Sequence, residues 1–425
     1  MPHLFFMIKE TLLPNNINLV TETVSTARTV AVGFYYSVGS RFEGPGERGI
    51  SHFCEHLLFK GTGRFSRREI SCTFDRMGGT LNAFTERDDV CVYAVFPSSE
   101  ENFSHVMDIL CSMDSDCIFP ECEIEKERCV VENEIHAVED DPEESSLDAL
   151  AESVWGGCSL GQTITGTVDD VEKLDSAKIR DWYERFFVHG KLTVYVTGNF
   201  DLESAESWLG KLQLHARNEK IPADGMRVWN RGPFFIGSKF GQRQIYVSSQ
   251  IKRPFDEKSY WAMTVFNALC GDTMSSRMFE VLREKNGLCY SVYSFFSCYE
   301  DNGIWSCYAS CDGDGTEKAL SLMMNELDSI LKDGFSDSEI SDAKGHLCGE
   351  EIMGEGDMEY VMRRLQKSHS LGLPLYSTDE ILSSIRAVEK NDIMDLAREI
   401  LQRECRTVLV YGKKLNRKRL EKVIL

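Results

Sequence analysis

The sequence predicts an α+β fold made of two similar domains, and three observations predict it. At 425 residues the chain is longer than one ordinary core, which seldom grows past about 250 to 300 residues. Strand-like and helix-like segments in its first half mix without a regular βαβ alternation, which disfavours a doubly wound sheet. After a polar stretch near the middle, the pattern of the first half starts again.

Residues 28–39 (RTVAVGFYYSVG) and 80–96 (TLNAFTERDDVCVYAVF) are rich in β-branched and aromatic side chains and read as strands. Between them, 49–60 and 67–77 carry helical spacing, and 121–140 (ECEIEKERCVVENEIHAVED) reads as a Glu-rich helix. LTVYVTGNF at 192–200 is a further strand ending in a turn. The segment 212–235, with Pro, Gly and charges, reads as a linker between a first domain at 1–211 and a second at 236–425. Beyond it, RQIYVSSQI resembles the early strand, and YWAMTVFNALCGDT aligns with ISHFCEHLLFKGTG when Gly271 is placed on Gly61. In that register Ala262, Val265 and Phe266 stand where His52, Glu55 and His56 stand in the first half. The second half therefore reads as a duplicate without the polar triad.

Hydrophobic residues at 42% and charged residues at 27% are ordinary globular values and exclude disorder, a collagen-like repeat or a coiled coil. No apolar run reaches the roughly 18 residues of a membrane helix. The first residues, MPHLFFMIKETLLPNN, have neither the basic flank and cleavage site of a secretion signal nor the Arg- and Ser-rich character of a mitochondrial one. Fifteen scattered cysteines in so large a chain then read as reduced thiols in a cytoplasm rather than a disulfide framework. A formal charge of −21 works against nucleic-acid binding, which needs clustered Lys and Arg. It is compatible with cationic peptides, although acidity that merely maintains solubility is an equal reading.

On a helix, positions i, i+3 and i+4 share one face, so His52, Glu55 and His56 point the same way. Two imidazoles so placed can bind one Zn²⁺ while the carboxylate stands beside the metal's open position. H-x-x-E-H arises by chance only about once in 50 chains of this composition; two solvated histidines with an unrelated Glu is the alternative. A catalytic zinc needs a third protein ligand. Glu127 and Glu134, two helical turns apart, share a face and are both candidates, though most carboxylates in so acidic a helix are simply solvated. His136 would face away from Glu134, and His3, His105, His189, His215, His346 and His369 have no partner spacing.

HFCEHLLFKGT, LNAFTERDDVCVYA, EKERCVVENEI followed by EDDPEE, SLGQTITGT and MSSRMFEVLREKNGLCYSVYS together resemble the pitrilysin family of metallopeptidases. The likeness is to its short-chain branch, which includes the processing-peptidase β subunit of mitochondria and similar bacterial enzymes, and it runs in order over nearly the whole chain. It implies two similar domains, each a mainly antiparallel sheet packed with helices, and one zinc ion per chain held by His52, His56 and Glu134. It also implies Glu55 as general base and Glu127 as a helper acid. Asn133 departs from the Glu usual before the third ligand, at a position that is not a ligand in the family.

The resemblance further implies that Arg283 and Tyr290 hold the substrate carbonyl and the oxyanion. On residues alone, Arg283 reads as a solvated helix residue and Tyr290 as a core aromatic. Leu81, Asn82, Ala83 and Phe84 match an edge strand to which peptide substrates add as an extra strand, with a core role for Phe84 equally open. The implied assembly is a clam-like homodimer enclosing a peptide chamber; the hypothesis drawn from it is that Arg283 and Tyr290 complete the partner chain's active site, with action within their own chain the alternative. The alternatives are a non-catalytic subunit of a processing-peptidase-like complex, or a presequence-processing subunit that needs a different partner chain.

Overall fold

The computed structural model describes residues 7–215, 229–252, 256–299 and 301–424. Its first sheet holds β1 (Met7–Leu12), β2 (Asn18–Thr23), β3 (Thr29–Tyr36), β4 (Thr80–Thr85), β5 (Val90–Pro97) and β6 (Leu192–Gly198). Their order across the sheet is β1-β2-β6-β3-β5-β4. The second sheet holds β7 (Phe234–Gly237), β8 (Arg243–Gln250), β9 (Cys289–Cys298), β10 (Gly303–Cys311) and β11 (Arg406–Gly412), in the order β7-β11-β8-β10-β9.

Without β1, the two sheets have one topology. β2 and β6 run parallel, as do β7 and β11, and every other neighbouring pair is antiparallel. β3 and β8 hold the same place, and each is followed by a helix: α1 (Ile50–Leu58) after β3 and the helix Glu257–Asn267 after β8. Internal duplication is thus written into strand order. In the second copy Ala262, Val265 and Phe266, which the sequence register sets against His52, Glu55 and His56, are core residues.

The chain forms two compact units that are not contiguous in sequence. One comprises Met1–Ala137, Gln162–Ala223 and Gly354–His369; the other Val138–Gly161, Asp224–Met353 and Ser370–Leu425. In the first unit, the helix Met358–Ser370 buries Met358, Val361, Met362 and Leu365. A side chain at Gly33 of β3 would place its Cβ 2.7 Å from Met362 Sδ and 2.9 Å from the Tyr35 ring, so glycine lets helix and strand approach closely here. A buried ion pair between Arg364 and Glu22 (2.6 Å) and a hydrogen bond from Thr197 Oγ1 to the Met358 carbonyl fix the helix in place. In the second unit the helix Pro142–Trp155 packs Leu150, Ala151, Val154 and Trp155 with Tyr246, Ile304, Tyr308 and Leu409 of the sheet.

The segment 80–96, read as one strand, is a hairpin: Glu86 donates its N–H to the Asp89 carbonyl (2.7 Å), and β4 turns into β5. The segments 28–39 and 192–200 are strands that stop at Tyr36 and Gly198. Of the stretch 212–235, residues 216–228 lie outside the described residues, whereas Leu212 and His215 belong to the first unit. No helix among the described residues is long and apolar enough to cross a membrane.

Candidate metal centre

The centre starts from how α1 is held. Ile50, Phe53, Cys54, Leu57 and Leu58 are buried in the first core, each apolar side chain contributing about 1.5–3 kcal/mol. Gly49 precedes the helix at φ +78°, and a Cβ there would lie 2.5 Å from the Thr165 carbonyl oxygen, so only glycine starts this helix here. No side chain at Gly49 can cap the first turn. The buried carboxylate of Glu43 does so instead, accepting from the N–H groups of Gly49 (2.8 Å) and Ser51 (2.9 Å). Burial pushes the Glu43 carboxyl up to about 8 against the pull of those two donors.

Anchored in this way, α1 presents His52, Glu55 and His56 toward the helix α2 (Glu121–Asp140). The Nε2 atoms of His52 and His56 are 3.2 Å apart. Glu134 brings Oε1 to 3.6 Å from His52 Nε2 and Oε2 to 3.3 Å from His56 Nε2. Tetrahedral zinc with Zn–N near 2.0–2.1 Å sets ligand atoms about 3.3–3.4 Å apart, so these residues fit the ion. Two imidazole nitrogens facing each other at this range also require a shared proton or cation between them. Among the described residues this is the one group of His, Cys, Asp and Glu with metal-ligand convergence.

The surrounding groups divide the work. His56 Nδ1 lies 3.0 Å from Glu127 Oε1, and the Lys60 ammonium pairs with Glu127 Oε2. Glu127 is nearly buried and points at the imidazole of His56 rather than at the ligand atoms. Burial favours neutral His56, but hydrogen bonds with Glu134 and Glu127 outweigh it and raise its pKa. Hydrogen bonds from His52 and His56 hold the Glu134 carboxyl far below its ordinary range. Burial raises Glu55, opposed first by a hydrogen bond from Thr85 Oγ1 (2.7 Å) and then by the two histidines.

Thr85 ends β4, which pairs with β5 alone among the described residues and so stands at an edge of the first sheet. Leu81 and Ala83 pack partly against the core. Asn82 is exposed, and Phe84 is half-buried between Tyr35, Tyr93 and the guanidinium of Arg363, which lies 4.6 Å from its ring. His136 is exposed on α2.

Arg283 and Tyr290 belong to the other unit, where they meet each other. Arg283 Nη1 donates to the Tyr290 carbonyl (2.7 Å), and its guanidinium lies 4.9 Å from the Tyr290 ring. Tyr290 is 80% exposed, the opposite of the core aromatic that its residue type suggests. Thr85, Lys60 and Glu43 were not singled out by sequence reasoning, although Lys60 lies within HFCEHLLFKGT and Thr85 directly follows LNAF. His215 does find a partner: its Nε2 is 3.3 Å from Asp114 Oδ2, deep in the core of the first unit.

Residues 18–168 match the family model described as insulinase (peptidase family M16), and residues 173–347 match that of the peptidase M16 inactive domain. A protein of Streptomyces coelicolor described as an uncharacterized zinc protease is 34% identical over 93% of this chain and 88% of its own. The uncharacterized zinc protease YmxG of Bacillus subtilis is 30% identical over 95% of this chain and 98% of its own. Among solved structures, a protease from Helicobacter pylori superposes with a TM-score of 0.86 at 18% identity, covering 96% of this chain and 99% of that one. A chain of complex III2 from Candida albicans gives 0.80 at 20% identity, covering 98% and 100%.

Proposed function

Because the chain belongs to the M16 (pitrilysin) family of zinc peptidases, we propose that it is an endopeptidase that cuts peptides or unfolded segments at the centre formed by His52, Glu55, His56 and Glu134. The observation that carries this reading is the convergence of both Nε2 atoms and the Glu134 carboxylate, with Glu55 on the same helix. Zinc bound there would polarise a water and the scissile carbonyl and bring the water's pKa from 15.7 toward about 7.

The chain's own groups do the rest. Glu55 takes the water's proton and passes it to the departing amine, and Thr85 orients its carboxylate from the end of β4. Glu127 serves through His56, whose Nδ1 it engages, so that Nε2 faces the ligand position. The open edge of β4 at Leu81–Phe84 offers main-chain pairing to an extended peptide, which gives affinity with little sequence preference.

The active form in this reading is a homodimer that encloses its substrate, with Arg283 and Tyr290 of the second chain stabilising the oxyanion. The mutual contact of Arg283 and Tyr290, and the exposure of the tyrosine, suit a pair that serves a ligand from outside its own core. A retained set of ligands and base favours catalysis over a non-catalytic subunit role. Fifteen cysteines with no disulfide among them suit a reducing cytoplasm.

The test is a random peptide mixture incubated with purified protein, with cut sites read by mass spectrometry. Internal cuts that vanish with a chelator and return with zinc are expected. Cutting that a chelator leaves untouched, or none by the zinc-loaded dimer, overturns the reading.

A further inference from the structure

Lys60 stands two residues beyond α1, where the backbone is pinned on both sides. Its N–H donates to the Leu57 carbonyl (3.1 Å), and Gly61 accepts from the Ile118 N–H (3.2 Å). Thr62 Oγ1 accepts from Ser112 Oγ (2.7 Å). The lysine side chain is thus launched from a fixed point, and it runs inward: it is 14% exposed, against 9% for the Glu127 side chain it meets.

Each oxygen of Glu127 has one cationic or donor partner among the described residues, Lys60 on Oε2 and His56 Nδ1 on Oε1. A buried carboxylate is costly unless paired. Lys60 therefore compensates the charge that His56 uses, and its grip on one oxygen decides where the other points. The His56 ring donates its Nδ1–H to Oε1, which leaves the Nε2 lone pair directed at the ligand position. Without the lysine, Glu127 is free to rotate toward water and release the imidazole.

We propose that Lys60 is a positioning residue of the metal centre: by holding Oε2 of Glu127 it keeps Oε1 on His56 Nδ1 and so fixes the imidazole that would ligate zinc. The inference rests on the zinc-peptidase reading. Partners one shell out from a metal typically change affinity by about 10- to 100-fold. An effect that passes through Glu127 alone must vanish when Glu127 is already changed.

The experiment measures zinc dissociation constants of the purified full chain by competition with a chromophoric chelator. The chains compared are wild type, Lys60→Met, Lys60→Arg, Glu127→Gln and the double variant Lys60→Met/Glu127→Gln, each checked for fold by circular dichroism. Lys60→Met is expected to weaken zinc about tenfold, Lys60→Arg to retain most of the affinity, and the double variant to bind no more weakly than Glu127→Gln alone. Wild-type affinity in Lys60→Met, or losses that multiply in the double variant, overturn the proposal. Should Lys60→Met fail to fold, Lys60→Gln replaces it in the same cycle with the same criteria. A wild-type chain that binds no zinc would instead remove the zinc-peptidase reading, and this inference with it.

Discussion

Thr85 Oγ1 donates a 2.7 Å hydrogen bond to Oε2 of Glu55, so the last residue of the edge strand aims the carboxylate assigned as general base. A hydrogen bond to a charged group is worth about 1.5–3 kcal/mol. Thr85→Val keeps the shape and loses the hydroxyl. It should lower kcat by about tenfold or more while KM and zinc affinity stay near wild type. Steady-state kinetics with a metal titration would check this, and an unchanged kcat would remove Thr85 from the mechanism.

Glu55 and Glu134 should separate cleanly on substitution. Glu55→Gln should keep one zinc per chain and lose nearly all turnover, because only the proton carrier is removed. Glu134→Gln should bind zinc more weakly, because it replaces an anionic ligand by a neutral amide. Metal content after dialysis, measured beside activity, decides each assignment.

If peptides add to the free edge of β4, their main chain matters more than their side chains. Substrates N-methylated at one peptide nitrogen near the cut site should lose affinity at alternate positions only, because strand pairing uses every second residue's N–H on a given side. Cleavage that ignores N-methylation at every position would exclude strand addition.

Glu43 makes a pH prediction. Its folded-state pKa is raised from 4.5 to about 8, so its protonated form adds stability that is fully present below about 4.5 and is lost as pH rises through about 8. The span corresponds to at most on the order of 5 kcal/mol. Glu43→Gln, which cannot ionise but accepts one fewer N–H, should be less stable than wild type in mild acid. Its deficit should shrink or reverse by pH 8 in denaturant titrations at several pH values. A constant difference across that window would contradict the assignment.

Mixing tests the dimer. A Glu55→Gln chain and an Arg283→Ala chain, each inactive, should regain activity once subunits exchange, because one site of the mixed dimer would carry both defects and the other none. A mixture whose exchange is verified by mass but which stays inactive would place Arg283 in the service of its own chain or of none.

The residues that announce themselves in the sequence do so through local spacing. His52, Glu55 and His56 fall on one helix face, and the restart after the middle of the chain is legible because a repeated strand and helix keep their residue pattern. What stayed hidden is long-range. Glu127 lies 71 positions from His56 and Thr85 lies 30 from Glu55, and no periodicity encodes such meetings. The β4–β5 turn leaves no mark in the sequence because ERDD contains no Gly, the residue that most often marks a tight hairpin. Tyr290 misled on residue type alone: a large aromatic at 80% exposure contradicts the rule by which burial is ordinarily read.

The crossing of Pro142–Trp155 and Met358–Ser370 into opposite units bears on what a half of this protein can be. Cut between residues 215 and 229, the chain would yield one fragment whose sheet has lost the helix over Gly33 and another that lacks the partner of Tyr246 and Tyr308. Neither fragment could close its own core, so each would aggregate alone and both would refold when mixed, as in fragment complementation.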